Sequence, residues 1–136
     1  MALTIICVTG PPSSGKSSTI RQLTAKHLKY EKAKGDVLGV FPMPRRIYAV
    51  GVNSYGDNLK VVRWGLKFLH RYHRLRVMIV ACHSEGSVTF REVARFAKKV
   101  KVRLRPVETV KLTGKREQRA AIRANVAKIK RLMPPR

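Results

Sequence analysis

Residues 8–19 read VTGPPSSGKSST, which sets Gly10, Gly15, Lys16 and Ser17 at the spacing G-x-x-x-x-G-K-S. Those residue types at that spacing suit phosphate chemistry. Two glycines allow backbone conformations and close approaches that a β-carbon would block. Successive N–H groups can then turn toward phosphate oxygens at the positive end of a following helix. Lysine supplies a point charge for the outer phosphates of a nucleotide, and the serine hydroxyl is a ligand suited to Mg²⁺. Pro11 and Pro12 stiffen the loop without donating, and Ser13, Ser14 and Ser18 complete the candidate contacts. The pattern arises by accident in roughly one chain in two hundred of this length. It carries weight only with a strand before it and a helix after it.

The flanking sequence supplies both. An apolar, β-rich run over 3–8 predicts a strand buried on both faces, and 16–30 predicts a helix. On that helix Ile20, Leu23, His27 and Tyr30 share a stripe, with Leu28 at its margin. Strands follow at 36–41 and 47–52, joined by only five residues. A parallel crossover needs a dozen or more, so the two should pair antiparallel as a hairpin at the sheet edge. A helix over 58–74 turns Val61, Val62, Gly65, Phe68, Leu69 and Tyr72 inward. Trp64 sits at the margin of that stripe, where core packing is the expectation and base stacking the alternative. A strand at 76–82 and a helix at 87–100 come next. The alternating apolar and basic run at 100–107 suggests an edge or half-exposed strand. The last helix, 115–133, should bury Ile122, Val126, Ile129 and Met133. The sum is one α/β domain over 1–136, a three-layer sandwich with a mostly parallel sheet and one antiparallel edge hairpin.

With its strand and helix in place, the 10–17 loop resembles the Walker A loop of the P-loop NTPase superfamily; no narrower family is identified. The resemblance implies an α/β sandwich that binds Mg-ATP or Mg-GTP, often with hydrolysis. Such proteins also use a carboxylate near Mg²⁺, usually an Asp that ends a neighbouring strand. Here Asn53 follows the strand instead, and NSYG is similar to the D-x-x-G switch with Asn in place of Asp. Asn53 and Asp57 are therefore the metal candidates beside Ser17. Asp57 equally suits the N-cap of the next helix. The other strand end is followed by His83, Ser84 and Glu85. Glu85 could activate a water or stand as an exposed loop residue. The catalytic candidates are thus Lys16, Glu85 and Asp57. The guanine-reading pattern N-K-x-D is absent, which favours ATP over GTP.

Thirty Lys and Arg against seven Asp and Glu give a formal net charge of +23. Self-repulsion on that scale opposes compaction and points to a polyanionic partner. The cations fall on two predicted helix faces: Lys60, Arg63, Lys67, Arg71 and Arg74 on one, Arg116, Arg119, Arg123 and Lys130 on the other. No base-reading motif occurs, so nonspecific nucleic-acid binding is expected, with DNA and RNA both open. At 136 residues the chain is near a minimal core without the lid and substrate insertions of nucleotide kinases, so function as a homo-oligomer, on DNA or in a ring, is a further expectation. Arg45 and Arg46 read as part of the basic surface. Cys7 and Cys82 lie in apolar runs and should be reduced, buried and inert. With His27, His70, His73 and His83 they form no metal-finger spacing. The apolar start lacks a basic n-region and no run is long enough to span a bilayer, so a soluble cytoplasmic protein is expected. The combined expectation is a small Mg-dependent ATPase that binds nucleic acid. The alternatives are a phosphotransferase acting on a nucleic-acid end or nucleoside, and a non-enzymatic DNA- or RNA-binding protein with a vestigial nucleotide site.

Overall fold

Alternation along the first strand decides how the sheet is covered. In the computed structural model, which describes residues 3–72 and 74–135, β1 is Thr4–Thr9. It sends Ile6 and Val8 into one apolar cluster and Ile5 and Cys7 into the other. Period-two alternation of large apolar residues on a strand obliges both sheet faces to be covered. His73 and Arg136 lie outside the described residues.

The further elements are α1 (Lys16–His27), β2 (Leu38–Pro42), β3 (Ala49–Asn53), α2 (Leu59–His70), β4 (Leu75–Cys82), α3 (Val88–Lys99), β5 (Arg103–Glu108) and α4 (Lys115–Leu132). Five strands form one sheet in the order β2-β3-β4-β1-β5. Every pairing is parallel except β2 with β3, which run antiparallel with Leu38 opposite Asn53. The short connection forces this, and Met43 N–H donates to Tyr48 O at 3.1 Å within it. Prolines sit in both edge strands, Pro42 in β2 and Pro106 in β5. Edges tolerate a residue that cannot donate to the ladder.

Helices α1 and α4 cover one face. Ile20 and Leu23 of the first meet Ile122, Val126 and Ile129 of the second over Ile6 and Val8. Helices α2 and α3 cover the other, where Val62, Leu66 and Leu69 join Val93 and Ala97 over Ile5 and Cys7. The architecture is therefore α/β with a mostly parallel sheet and helices on both faces, as the sequence led us to expect. On α4 the buried residues are those of the expected stripe, with Met133 just beyond the helix.

Three expectations change. The sulfurs of Cys7 and Cys82, both buried on neighbouring strands β1 and β4, are joined rather than separate thiols. Tyr30 and Tyr72, assigned to apolar stripes, are exposed, because α1 and α2 end at His27 and His70 before reaching them. Trp64, expected in the core, is 53% exposed. The buried side of α2 centres on Val62, Gly65, Leu66 and Leu69, and Trp64 stands well round the helix from that centre. No helix among the described residues is long and apolar enough to cross a membrane.

Candidate functional site

Parallel strands β1, β3 and β4 all end at one edge of the sheet, and antiparallel β2 begins there. Segments 10–17, 36–37, 53–57 and 83–85 therefore converge on that edge from four strand ends. It is the edge at which ligands bind in open α/β sheets.

The 10–17 loop is fixed from three directions. Gly10 has φ +155°, and a β-carbon on it would overlap Thr109 Oγ1 and stand 2.9 Å from Thr109 O. Thr109, just after β5, is itself anchored: its N–H donates to Thr9 O at 2.7 Å and its hydroxyl to the same oxygen at 2.8 Å. Ser14 Oγ shares a 2.5 Å hydrogen bond with Thr109 Oγ1. Gly15 then turns the chain at φ +93° into α1, a left-handed conformation that favours glycine. Gln118 of α4 closes the third side by donating from Nε2 to Ser14 O and Val110 O, each at 3.2 Å.

Lys16 opens α1 and folds back over the loop. Its Nζ donates to Gly10 O at 2.8 Å and lies 3.4 Å from Pro11 O. The residue is 8% exposed, and burial pushes the ammonium below its usual range while the Asp57 carboxylate pulls it back up. The N-terminus of α1 has no side-chain cap and no acidic residue in its first turn. By contrast, Asn58 caps α2 and Ser87 caps α3. Pro12, Ser13, Gly15, Lys16, Ser17, Ser18 and Asp57 line a cavity of about 280 Å³.

The carboxylate that meets Ser17 is Asp36. Ser17 Oγ donates to Asp36 Oδ1 at 2.9 Å, and Ser54 Oγ donates to the same oxygen at 2.8 Å. Ser54 Oγ in turn accepts from Val37 N–H at 2.7 Å, so the hydroxyl serves as an orienting bridge. Lys32 Nζ holds Asp36 O at 2.6 Å and Arg21 Nη1 holds Gly35 O at 2.7 Å. Asp36 was absent from the sequence candidates, yet the signal was available. In the predicted hairpin, Asp36 is the first residue of the first strand and falls beside the end of the second.

Asn53 is buried with its amide engaged at the backbone: Nδ2 reaches Val61 O at 3.4 Å and Oδ1 accepts from Tyr55 N–H at 3.0 Å. That geometry ties β3 to the start of α2. Asp57 is not the helix cap, because Asn58 accepts from Lys60 N–H and Val61 N–H in that role. Asp57 instead faces the cavity, 83% exposed, with Oδ1 3.4 Å from His83 Nε2. Glu85 and Ser84 line a separate cavity of about 230 Å³ with Thr9 and Glu108. Among the described residues no group of three or more His, Cys, Asp or Glu could hold a metal ion by itself.

The two expected basic faces lie on opposite sides of the sheet. Lys60, Arg63, Lys67 and Arg71 are exposed on or beside α2, with Arg74 in the turn that follows. Arg116, Arg119 and Arg123 are exposed on α4, with Lys130 half-buried. Helix α3 adds cations that the sequence reading did not single out. Arg63, Arg91 and Arg95 line one groove between α2 and α3; Lys67 and Lys99 continue it with Arg63 and Arg95. Within it Arg63 Nη2 pairs with Glu92 Oε1 at 3.0 Å. Arg63 is about half exposed, whereas the Glu92 side chain is only 12% accessible.

No protein-family model, curated protein or solved structure matches the chain.

Proposed function

We propose that the chain is an ATP-binding protein of the P-loop NTPase kind, a Mg-dependent ATPase that also holds nucleic acid nonspecifically on its basic faces. The observation that carries this reading is the state of Lys16. A buried ammonium rests on its own loop's carbonyls, beside an uncapped helix N-terminus and a cavity of nucleotide-phosphate dimensions. Burying a cation costs free energy unless it gains partners, and a bound polyphosphate is the partner that repays it.

Within this reading, the N–H groups of the loop and of the first turn of α1 bind phosphate oxygens. Lys16 Nζ exchanges the Gly10 carbonyl for oxygens of the outer phosphates. Ser17 and Asp36 offer a hydroxyl and a carboxylate, the oxygen donors that Mg²⁺ prefers, in a site of few protein ligands completed by phosphate and water. Mg²⁺, when bound, supplies charge neutralisation on the phosphates. Asp36 thus adds the negative charge that Asn53 lacks. Asp57, beside Lys16 and His83, is the carboxylate best suited to orient an attacking water, and Glu85 in the second cavity is its competitor. The lack of an N-K-x-D pattern keeps ATP ahead of GTP.

Phosphate release from ATP, measured with and without DNA for wild type and Lys16→Ala, tests the reading. The variant should lose about a hundredfold or more of the rate, the scale on which one preorganised charge donor acts. Equal and negligible rates in both would remove the ATPase. Transfer of the γ-phosphate to an oligonucleotide, rather than its release, would make the chain a phosphotransferase.

A further inference from the structure

The exposed side of α2 carries more than charge. Trp64 and Phe68 stack with ring centroids 5.0 Å apart and planes 12° from parallel. Phe68 meets Tyr72 edge-on at 5.6 Å. Trp64 and Phe68 are spaced by four on one side of α2, and Tyr72, just beyond the end of the helix, continues the row through its contact with Phe68. Phe68 is partly buried against the core and anchors the row, while Trp64 is 53% and Tyr72 44% exposed. Lys60, Lys67 and Arg71 occupy the neighbouring exposed positions, between this row and the groove toward α3. No acidic residue occurs in α2.

We propose that this side of α2 is a platform for single-stranded nucleic acid, with unpaired bases stacking on Trp64 and Tyr72 and the phosphates running along Lys60, Lys67 and Arg71. Stacked aromatics beside a line of cations form the surface that tracks an unpaired strand, because every base offers a π face. A duplex would offer the cations its phosphates but keep its bases out of reach of the rings. Charge also selects among occupants. A second copy of a +23 chain would bring cations against cations, whereas a polyanion neutralises them. The inference rests on the nucleic-acid half of the proposed function and narrows it to unpaired strands.

Trp64 is the sole tryptophan, so its fluorescence reports this surface alone. Titration at low salt with oligo(dT), oligo(U) and a DNA duplex of equal length should quench Trp64 with the two single strands and leave it little changed with the duplex. Trp64→Ala should weaken oligo(dT) binding about 5- to 150-fold, the range for loss of one base–aromatic stack, and Trp64→Phe should restore much of it. Both variants should bind duplex as wild type does. Tight oligo(dT) binding with unchanged emission and no effect of Trp64→Ala would overturn the platform while leaving nonspecific nucleic-acid binding intact. Binding of none of the three probes would overturn both readings. A concentration-dependent dimer abolished by Trp64→Ala, with no quenching by either strand, would assign the surface to a second copy instead.

Discussion

The loop edge of the sheet and the outer side of α2 both present cations, yet they are built in opposite ways. At the loop edge the charge is single, buried and held: Lys16 is 8% exposed, and Gly10, whose carbonyl accepts from it, is locked against Thr109. On α2 the charges are several and exposed, with Arg63 paired to Glu92 of α3 across the groove. The contrast separates two kinds of anion recognition. A preorganised site spends folding free energy on one geometry and can discriminate. An exposed row of lysines and arginines spends little, accepts any phosphate backbone and yields to salt.

The sharpest way to break the first kind is to disturb its lock. Gly10→Ala would drive a methyl group into Thr109 at a backbone φ that L side chains rarely adopt. Overpacking and backbone strain together should cost about 2–4 kcal/mol in chemical denaturation. Nucleotide binding should be lost at temperatures where the variant is still folded. An Ala substitution that leaves both stability and ATP affinity intact would mean that the Thr109 lock does not shape the loop.

How much of this was legible in the sequence depends on how far apart the partners lie. The 10–17 loop, its strand and its helix are contiguous, so spacing alone disclosed them, and the five-residue connection disclosed the hairpin. Thr109 and Gln118 reach the loop from the end of β5 and from α4, and nothing local at residues 109 or 118 announces that contact. Asp36 is intermediate. In the sequence it reads as no more than the first residue of a strand, until the antiparallel register puts Leu38 opposite Asn53. Strand order mattered too. β4 lies between β3 and β1, yet Asp36, held by Ser54, still reaches Ser17 across it, while the buried Asn53 amide is taken up by Val61 O and Tyr55 N–H. On α2, a stripe that could be drawn to include Tyr72 was narrower in the fold, and Trp64 fell outside it.

A smaller perturbation tests whether Asp36 belongs to the preorganised site. Asp36→Asn keeps an oxygen to accept from Ser17 and Ser54 but removes the charge. Stability should change by less than about 1 kcal/mol, since neutral hydrogen bonds replace charge-assisted ones. The Mg²⁺ concentration that half-saturates ATP turnover should rise about tenfold or more, on the scale of lost metal-site partners. An unchanged Mg²⁺ requirement would return the metal role to Asp57.

The exposed kind of recognition predicts a gentler, graded response. Replacing Arg116 and Arg119 of α4 together by Glu should lower the slope of log affinity against log salt by about two for duplex DNA, if each contacts one phosphate. The same pair of changes on the opposite side of the sheet from α2 should leave quenching of Trp64 by oligo(dT) unaltered. Loss of that quenching would join the two faces into one continuous surface, against the layer arrangement.

The smallest effect is the most direct reading of what burial does to Lys16. Its folded-state pKa lies below the ordinary 10.5, first because burial disfavours the charged form and only then because Asp57 restores some of it. In the window between that lowered value and 10.5, the unfolded chain binds more protons than the folded one. Stability contributed by this residue must therefore rise as pH rises through the window and stay flat at its low value beneath it, where both states hold the proton. Subtracting the unfolding free energy of Lys16→Met from that of wild type across the alkaline range up to pH 10.5 isolates the slope, because the other lysines titrate alike in both. The difference should grow with pH in the absence of ligand. Saturating ATP should flatten or reverse it, since a polyphosphate beside Nζ stabilises the ammonium and raises its pKa. A slope of the opposite sign without ligand would mean that Lys16 is already satisfied by its carbonyl and carboxylate neighbours. The loop would then have no unmet demand for an anion, and the difference between the held charge and the exposed ones would disappear.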